Sequence, residues 1–318
     1  MFGTSDLSKI LKVSRPRIKQ ICAENEISFI KSGGNSSRIK FPHSSVRSLL
    51  DVKSLGFKKK VVTIGQEKGG IGKSLLTFNV ASNLSFMGAK VLIIDLDPEA
   101  CTTNVLLDDS FNSDYKTIYE VLKHDLPFSE VIVPTKYEGL DLVGCKGVAR
   151  RAERLVSDQN PKKILRDKMQ DLDKYDLIMF DIPPSFSRLI SSAYLTSDLI
   201  IMPTFPDSWS IESLQLTLDD LEEECSQFEV KVPEIKILMN KFLPDRKASQ
   251  EAWKVLVNNF GDYLLPFQIK ESAGLQNTIN NGISIFESPK YPEIKESLNL
   301  LSRTISPIET MSLKEANA

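Results

Sequence analysis

Val61-Val-Thr-Ile-Gly-Gln-Glu-Lys-Gly-Gly-Ile-Gly-Lys-Ser74 decides the fold of this 318-residue chain. A β-branched run, Val61–Ile64, enters a loop with glycine at 65, 69, 70 and 72, and helix-forming sequence follows Ser74. Glycines between a strand and a helix let backbone N–H groups wrap a phosphate chain, and the helix N-terminus adds positive potential. Lys73 is placed for the β- and γ-phosphates and the Ser74 hydroxyl for Mg²⁺. The usual G-x-x-x-x-G-K-[S/T] spacing asks for glycine at position 67, where this chain has Glu67.

Working outward, short apolar runs at Val91–Asp95, Leu177–Asp181, Leu199–Pro203 and Ile235–Asn240 alternate with helical stretches. Continuous apolar strands separated by helices predict an α/β fold, a mostly parallel P-loop NTPase sheet with helices on both faces. The second strand is expected to end at Asp95, leaving Asp97 in the following loop. In the third, four apolar residues precede Asp181, which sets a carboxylate at the C-terminal edge of the sheet beside the metal position. Taken alone, that run also reads as a buried strand ending in a capping aspartate.

The composition, 41% hydrophobic and 26% charged, excludes a disordered chain. No apolar run approaches the roughly 18 residues that a bilayer span requires. Met1–Asp6 offers no basic start or apolar block, so no secretory leader is expected. Cys22, Cys101, Cys145 and Cys225 lie too far apart for a metal knuckle or a disulfide framework, and read as reduced thiols of a cytoplasmic protein. Two histidines, His43 and His124, leave little room for imidazole chemistry.

The formal charge of −2 hides a division: residues 1–60 carry a net +9 and residues 61–318 a net −11. Two modules are expected, 1–56 and 57–318. In the first, Thr4 or Ser5 caps a helix to about Leu11, and Ser14 caps a second helix with Pro16 in its first turn. Ile27–Lys31 and Arg38–Phe41 alternate around Ser32–Ser37 as a hairpin, and a third helix follows Pro42. This is a winged helix-turn-helix pattern. Arg15, Arg17 and Lys19 on the second helix would face base edges in the major groove, with Lys31, Arg38 and Lys40 of the wing on phosphates. A merely solvated basic face, or a protein-binding head, would have the same composition.

Lys68-Gly-Gly-Ile-Gly-Lys-Ser74 resembles the deviant Walker A motif of the ParA/MinD ATPases. Asp95-Leu-Asp-Pro-Glu99 is similar to that family's D-x-D-P-Q segment, with Glu99 in place of glutamine, and Asp181-Ile-Pro-Pro184 to its D-x-P-P switch. Ile237-Leu-Met-Asn240 resembles the segment whose asparagine contacts adenine, although a satisfied strand-end asparagine is an equal reading. The likeness covers about residues 60–305. It implies catalytic roles for Lys68, which reaches across a dimer, for Lys73, and for Asp97, which positions water. It implies nucleotide contacts from Lys68, Gly69, Gly70, Ile71, Gly72, Lys73, Ser74, Leu75 and Asn240, and a Mg²⁺ shell ordered by Ser74, Asp95 and Asp181.

The head in turn resembles MerR-like winged helices, which also occur on longer plasmid-type ParA proteins that repress their own operon. The resemblance therefore implies an ATPase for plasmid or chromosome partition, using ATP/ADP and Mg²⁺. It would work as a nucleoid-associated homodimer with DNA and a ParB-like partner, and without a membrane. Arg246, Lys247, Lys254 and Lys270 are the candidates for non-specific DNA contact in the body. The alternative is a nucleotide-responsive transcription repressor with little turnover.

Overall fold

The computed structural model describes residues 2–32, 38–107 and 114–311. Residues 33–37 of the expected hairpin turn lie outside the described residues. The chain opens with β1 (Phe2–Gly3), α1 (Thr4–Leu11), α2 (Arg15–Glu24), β2 (Ile30–Ser32), β3 (Arg38–Phe41) and α3 (His43–Val52). The cap of the first helix falls before the expected Thr4 or Ser5. Gly3 is the cap residue, and the Asp6 carboxylate accepts the Gly3 N–H at 3.0 Å, drawing Thr4 into the helix. In α2 the Ser14 hydroxyl accepts the Arg17 N–H, Pro16 sits in the first turn, and Ile18, Ile21 and Cys22 form the buried face. The three strands form a small antiparallel sheet ordered β1-β3-β2.

After β4 (Leu55–Gly56) comes the central architecture: β5 (Lys60–Ile64), α4 (Lys73–Phe86), β6 (Val91–Asp95), α5 (Cys101–Leu106), α6 (Ile118–His124), β7 (Val133–Pro134) and β8 (Leu140–Val143). It continues with α7 (Ala149–Leu155), α8 (Pro161–Ile164), β9 (Leu177–Asp181), α9 (Arg188–Thr196), β10 (Leu199–Thr204) and α10 (Ser208–Gln227). The last elements are β11 (Glu234–Phe242), α11 (Lys247–Phe260), β12 (Leu264–Lys270), α12 (Ala273–Asn281), α13 (Pro292–Ile305) and β13 (Glu309–Thr310).

Eight strands, ordered β12-β11-β10-β5-β9-β6-β8-β7, form one sheet that is parallel except at the β7 edge. Strands β6, β9 and β10 are buried along their whole length, as a sheet covered on both faces requires. The sequence pattern did not reveal β8 or β12. Leu140-Asp-Leu-Val and Leu264-Leu-Pro-Phe-Gln-Ile-Lys mix polar residues or proline into the run, which strands near a sheet edge tolerate.

Two apolar layers sandwich the sheet. One includes Ile94, Phe180, Ile190, Leu214 and Leu221. The other runs from Val62, Ile64, Leu76 and Leu84 without a break into Leu7, Ile18, Phe41 and Leu49 of the N-terminal segment. That segment sits on the far end of α4. His43 Nδ1 lies 2.8 Å from the Ser85 carbonyl, and the Arg47 guanidinium donates to both the Asp176 carboxylate and the Gly88 carbonyl. β13 pairs antiparallel with β4, so the C-terminal region closes over the joint between the two segments.

Candidate functional site

Strand register assembles the site. β5, the central strand, lies between β10 and β9, and β9 also pairs with β6. Asp181 is thereby the register partner of Ile64 on one side and of Asp95 on the other. All three strands end at one edge, where the loop after β5 begins.

That loop is held open by its backbone. Gly70 has φ +75° and Gly72 φ +89°, a region that side-chain-bearing residues rarely adopt. Gly72 is also the N-cap residue of α4 and provides no side-chain cap, so the first N–H groups of that helix remain available to an anion. Ile71 is fully buried and anchors the loop. Lys73 is buried as well, and its ammonium donates to the Lys68 carbonyl at 3.0 Å, drawing the loop into a ring. Burial pulls the Lys73 ammonium down to about 8, against the opposing pull of Asp181, Asp97 and Glu99.

The two strand-end carboxylates have different surroundings. Asp95 accepts hydrogen bonds from the Asp97 N–H (3.0 Å), the Thr103 N–H (3.0 Å) and the Thr103 hydroxyl (2.6 Å). Both of its oxygens are occupied by protein donors. Desolvation and the facing Asp181 push its carboxyl well above the ordinary range. In the structure these bonds make Asp95 shape the loop that carries Asp97. Asp181 accepts the Thr102 hydroxyl on Oδ2 at 2.6 Å, while its Oδ1 is buried without a hydrogen-bond partner. Desolvation raises it to about 6, with the Thr102 and Ser74 hydroxyls pulling the other way. A buried carboxylate oxygen without a partner, beside a hydroxyl, fits a hard divalent cation. Among the described residues no cluster of three or more His, Cys, Asp or Glu could hold a metal, so any such ion would need oxygens from the phosphates and water.

Asp97 stands in the loop after β6, as expected, and accepts the Glu99 N–H at 2.9 Å. Thr102 and Thr103, which orient the two carboxylates, were not singled out in the sequence. Their only signal is that they open a helix directly after the D-x-D segment.

The loop, Asp97, Pro183, Pro184, Asn240 and the segment 270–276 line one cleft of about 1370 Å³. Asn240 bridges: its amide donates to the Ile71 carbonyl at 2.8 Å and its oxygen accepts the Lys241 N–H at 2.9 Å. Its hydrogen bonds thus brace the phosphate loop, the strand-end alternative to an adenine contact. Lys68 points elsewhere too, with its ammonium 3.0 Å from Asp207 Oδ1 at the N-cap of α10.

The expected DNA residues lie away from this cleft. Arg15, Arg17 and Lys19 are exposed on α2, with Arg17 paired to Glu24, and Lys40 is exposed on β3, where Arg38 also lies. Of the body's candidates, Lys247 and Lys270 are ion-paired to Glu251 and Glu293.

A family model described as an AAA domain matches residues 59–232, more than half of the chain. The chain belongs to that family. It is of the ParA type. The cell division protein PomZ of Myxococcus xanthus is 28% identical over 224 residues, 69% of each chain. Among solved structures, a plasmid partition protein of Borrelia burgdorferi B31 bound to AMPPNP is 27% identical, with a TM-score of 0.65 over 77% of this chain and 97% of that one. The ATP complex of a Cyanothece McdA variant shares the fold, with a TM-score of 0.71 over 79% of this chain and 97% of that one at 19% identity. In this ParA-type ATPase fold the cleft lies where doubly wound sheets bind ligands, at the carboxyl ends of strands flanking a switch in strand order. No helix among the described residues is long and apolar enough to cross a membrane.

Proposed function

We infer that this chain hydrolyses ATP to drive the partition of plasmid or chromosomal DNA. One observation carries the reading. The uncapped α4 N-terminus, Lys73 and the loop-borne Asp97 line one cleft, and the buried Asp181, whose Oδ1 has no partner, ends the strand beside that loop. The names of its relatives, a plasmid partition protein among them, support the cargo class.

In this mechanism the N–H groups of Gly70, Gly72 and Ser74 cradle the phosphates, and Lys73 holds the β- and γ-phosphate oxygens. Mg²⁺, when bound beside the Ser74 hydroxyl and Asp181, supplies charge neutralisation at the phosphates. Asp97 orients the attacking water, and Asp95 with Thr103 fixes the Asp97 backbone. Thr102 locks the Asp181 rotamer. On dimerisation Lys68 leaves Asp207 for the partner's nucleotide. The dimer binds DNA non-specifically at the nucleoid, and a ParB-like partner stimulates slow turnover and release. Residues 1–56 form a winged helix-turn-helix domain that reads an operator through Arg15, Arg17, Lys19, Arg38 and Lys40, and residues 57–318 form the ATPase domain.

Turnover by Lys73→Ala and Asp97→Ala variants tests the site: each should lose most hydrolysis, and wild-type rates in both would remove the assignment. The exposed cations of α2 also favour a second reading, a repressor that uses nucleotide only as a ligand. Footprinting on DNA upstream of the gene, with ADP and with ATP, separates the two. Protection favoured by ADP, together with negligible turnover, would select the repressor.

A further inference from the structure

The cleft extends past the phosphate loop to a wall made by α7 and the start of α9, where Arg150, Glu153, Arg154, Ser157, Ser187 and Arg188 line it. Its volume, about 1370 Å³, exceeds the roughly 300–1,000 Å³ of ordinary ligand pockets. Two contacts fix this wall against the phosphate side. The Ser187 hydroxyl donates to the Glu153 carboxylate at 2.8 Å, tying α7 to the segment after β9. Pro184 of that segment packs over the loop, 3.7 Å from where a Cβ on Gly69 would stand. Asn240 and residues from the segment 270–276 also line the cleft.

Four guanidiniums lie along this wall, and they separate by what they touch. Arg151 stacks on the Tyr119 ring. Arg188 lies over the Phe228 ring and 3.7 Å from Glu224, turned towards a different cavity. Arg150 and Arg154, one helical turn apart, share a face of α7, line the cleft and have no ion-pair partner among the described residues. The remaining charge in this part of the cleft is acidic: Asp97, Glu99 and Glu153 line it and Asp181 lies beneath. Lys73 is the only loop cation facing inward, because Lys68 is held on Asp207. These carboxylates would repel an entering terminal phosphate, and guanidinium forks are well suited to phosphate oxygens.

We propose that Arg150 and Arg154 form an anion subsite for the terminal phosphate of the nucleotide within a single chain, so that α7 distinguishes a nucleoside triphosphate from a diphosphate. The proposal rests on the ATPase reading above. When the γ-phosphate is present the two guanidiniums close over it, and through the Glu153–Ser187 bond α7 carries the segment after β9 with it. With a diphosphate they face solvent.

Calorimetric titration of AMPPNP and of ADP, each with Mg²⁺, into the full-length wild type, Arg150→Ala/Arg154→Ala and Arg150→Lys/Arg154→Lys tests this. Both side chains are exposed, so the variants should melt with the wild type. The alanine pair should lose about tenfold or more in AMPPNP affinity, with ADP affinity changed less than about twofold, and the lysine pair should recover part of the loss. Equal losses for both nucleotides, or none for either, overturn the subsite. A loss of DNA binding with both nucleotide affinities intact also overturns it and makes α7 a nucleic-acid face. A wild type that binds neither nucleotide refutes the ATPase reading itself, a distinguishable failure.

Discussion

The Lys68 ammonium lies 3.0 Å from Asp207 Oδ1, so the lysine that begins the phosphate loop is fastened to the N-cap of α10. Asp207 also accepts the Ser210 N–H and hydroxyl, and these bonds, with Lys68, hold its carboxyl below the ordinary range. The pair is partly exposed, at 28% and 41% of side-chain area, and contributes little to stability. Asp207→Asn keeps an N-cap acceptor while removing the charge. It should change unfolding free energy by less than about 1 kcal/mol. In sedimentation with ATP it should self-associate at lower protein concentration, because Lys68 is already released.

Asp95 and Asp181 face each other as register partners, fully buried, with both carboxyls raised. Like charges at this spacing oppose the fold, so the nucleotide-free protein should melt higher as Asp181→Asn. The same variant should lose Mg²⁺-dependent ATP binding while retaining metal-free binding. Differential scanning calorimetry and titration with and without Mg²⁺ read the two effects.

Lys73 supplies a pH test. Its proton is held at about 8 in the fold against 10.5 ordinarily, so between those values the unfolded chain binds more protons. The Lys73 contribution to stability therefore rises with pH through that window and is flat below it. Bound phosphates would keep the ammonium charged and abolish the rise. The melting temperature of wild type minus that of Lys73→Met should climb from pH 7.5 to 9.5 without nucleotide, and stay level with AMPPNP.

Gly72 combines φ +89° with an Asn240 amide nitrogen 2.8 Å from where a Cβ would lie. Gly72→Ala should cost roughly 1–2 kcal/mol from backbone conformation alone. It should also break the brace from Asn240 to Ile71 and abolish nucleotide binding. Asn240→Ala removes that brace and should weaken binding of all nucleotides alike, whereas a loss confined to adenine nucleotides would assign Asn240 to the base.

Arg47 joins α3 to Asp176 and the Gly88 carbonyl within an apolar layer continuous across both segments. Thermal unfolding should therefore be a single transition. Arg47→Ala should lower stability by about 1.5–3 kcal/mol, as for other hydrogen bonds to charged groups, without splitting that transition.

The phosphate loop, the ends of β6 and β9, and the helices of the head were legible in the sequence because each is a local device. Glycines sit where φ must be positive, β-branched residues run where both faces are covered, and Ser14 stands where a helix needs a cap. What tertiary packing alone decided is which polar group meets which. Asp95 and Asp97 look alike along the chain, yet register sets Asp95 against Asp181 and wraps Thr103 around it, leaving Asp97 on the loop. Asn240, on β11, meets the Ile71 carbonyl from 169 positions away, and Lys68 meets Asp207 from 139. Arg150 and Arg154 line the cleft on a helix that is seated by buried Ala149 and Ala152 and bonded to the segment after β9 through Glu153 and Ser187. Hydrophobic periodicity fixes elements and faces, but hydrogen bonds and charges between distant segments depend on strand order, and no local pattern encodes that.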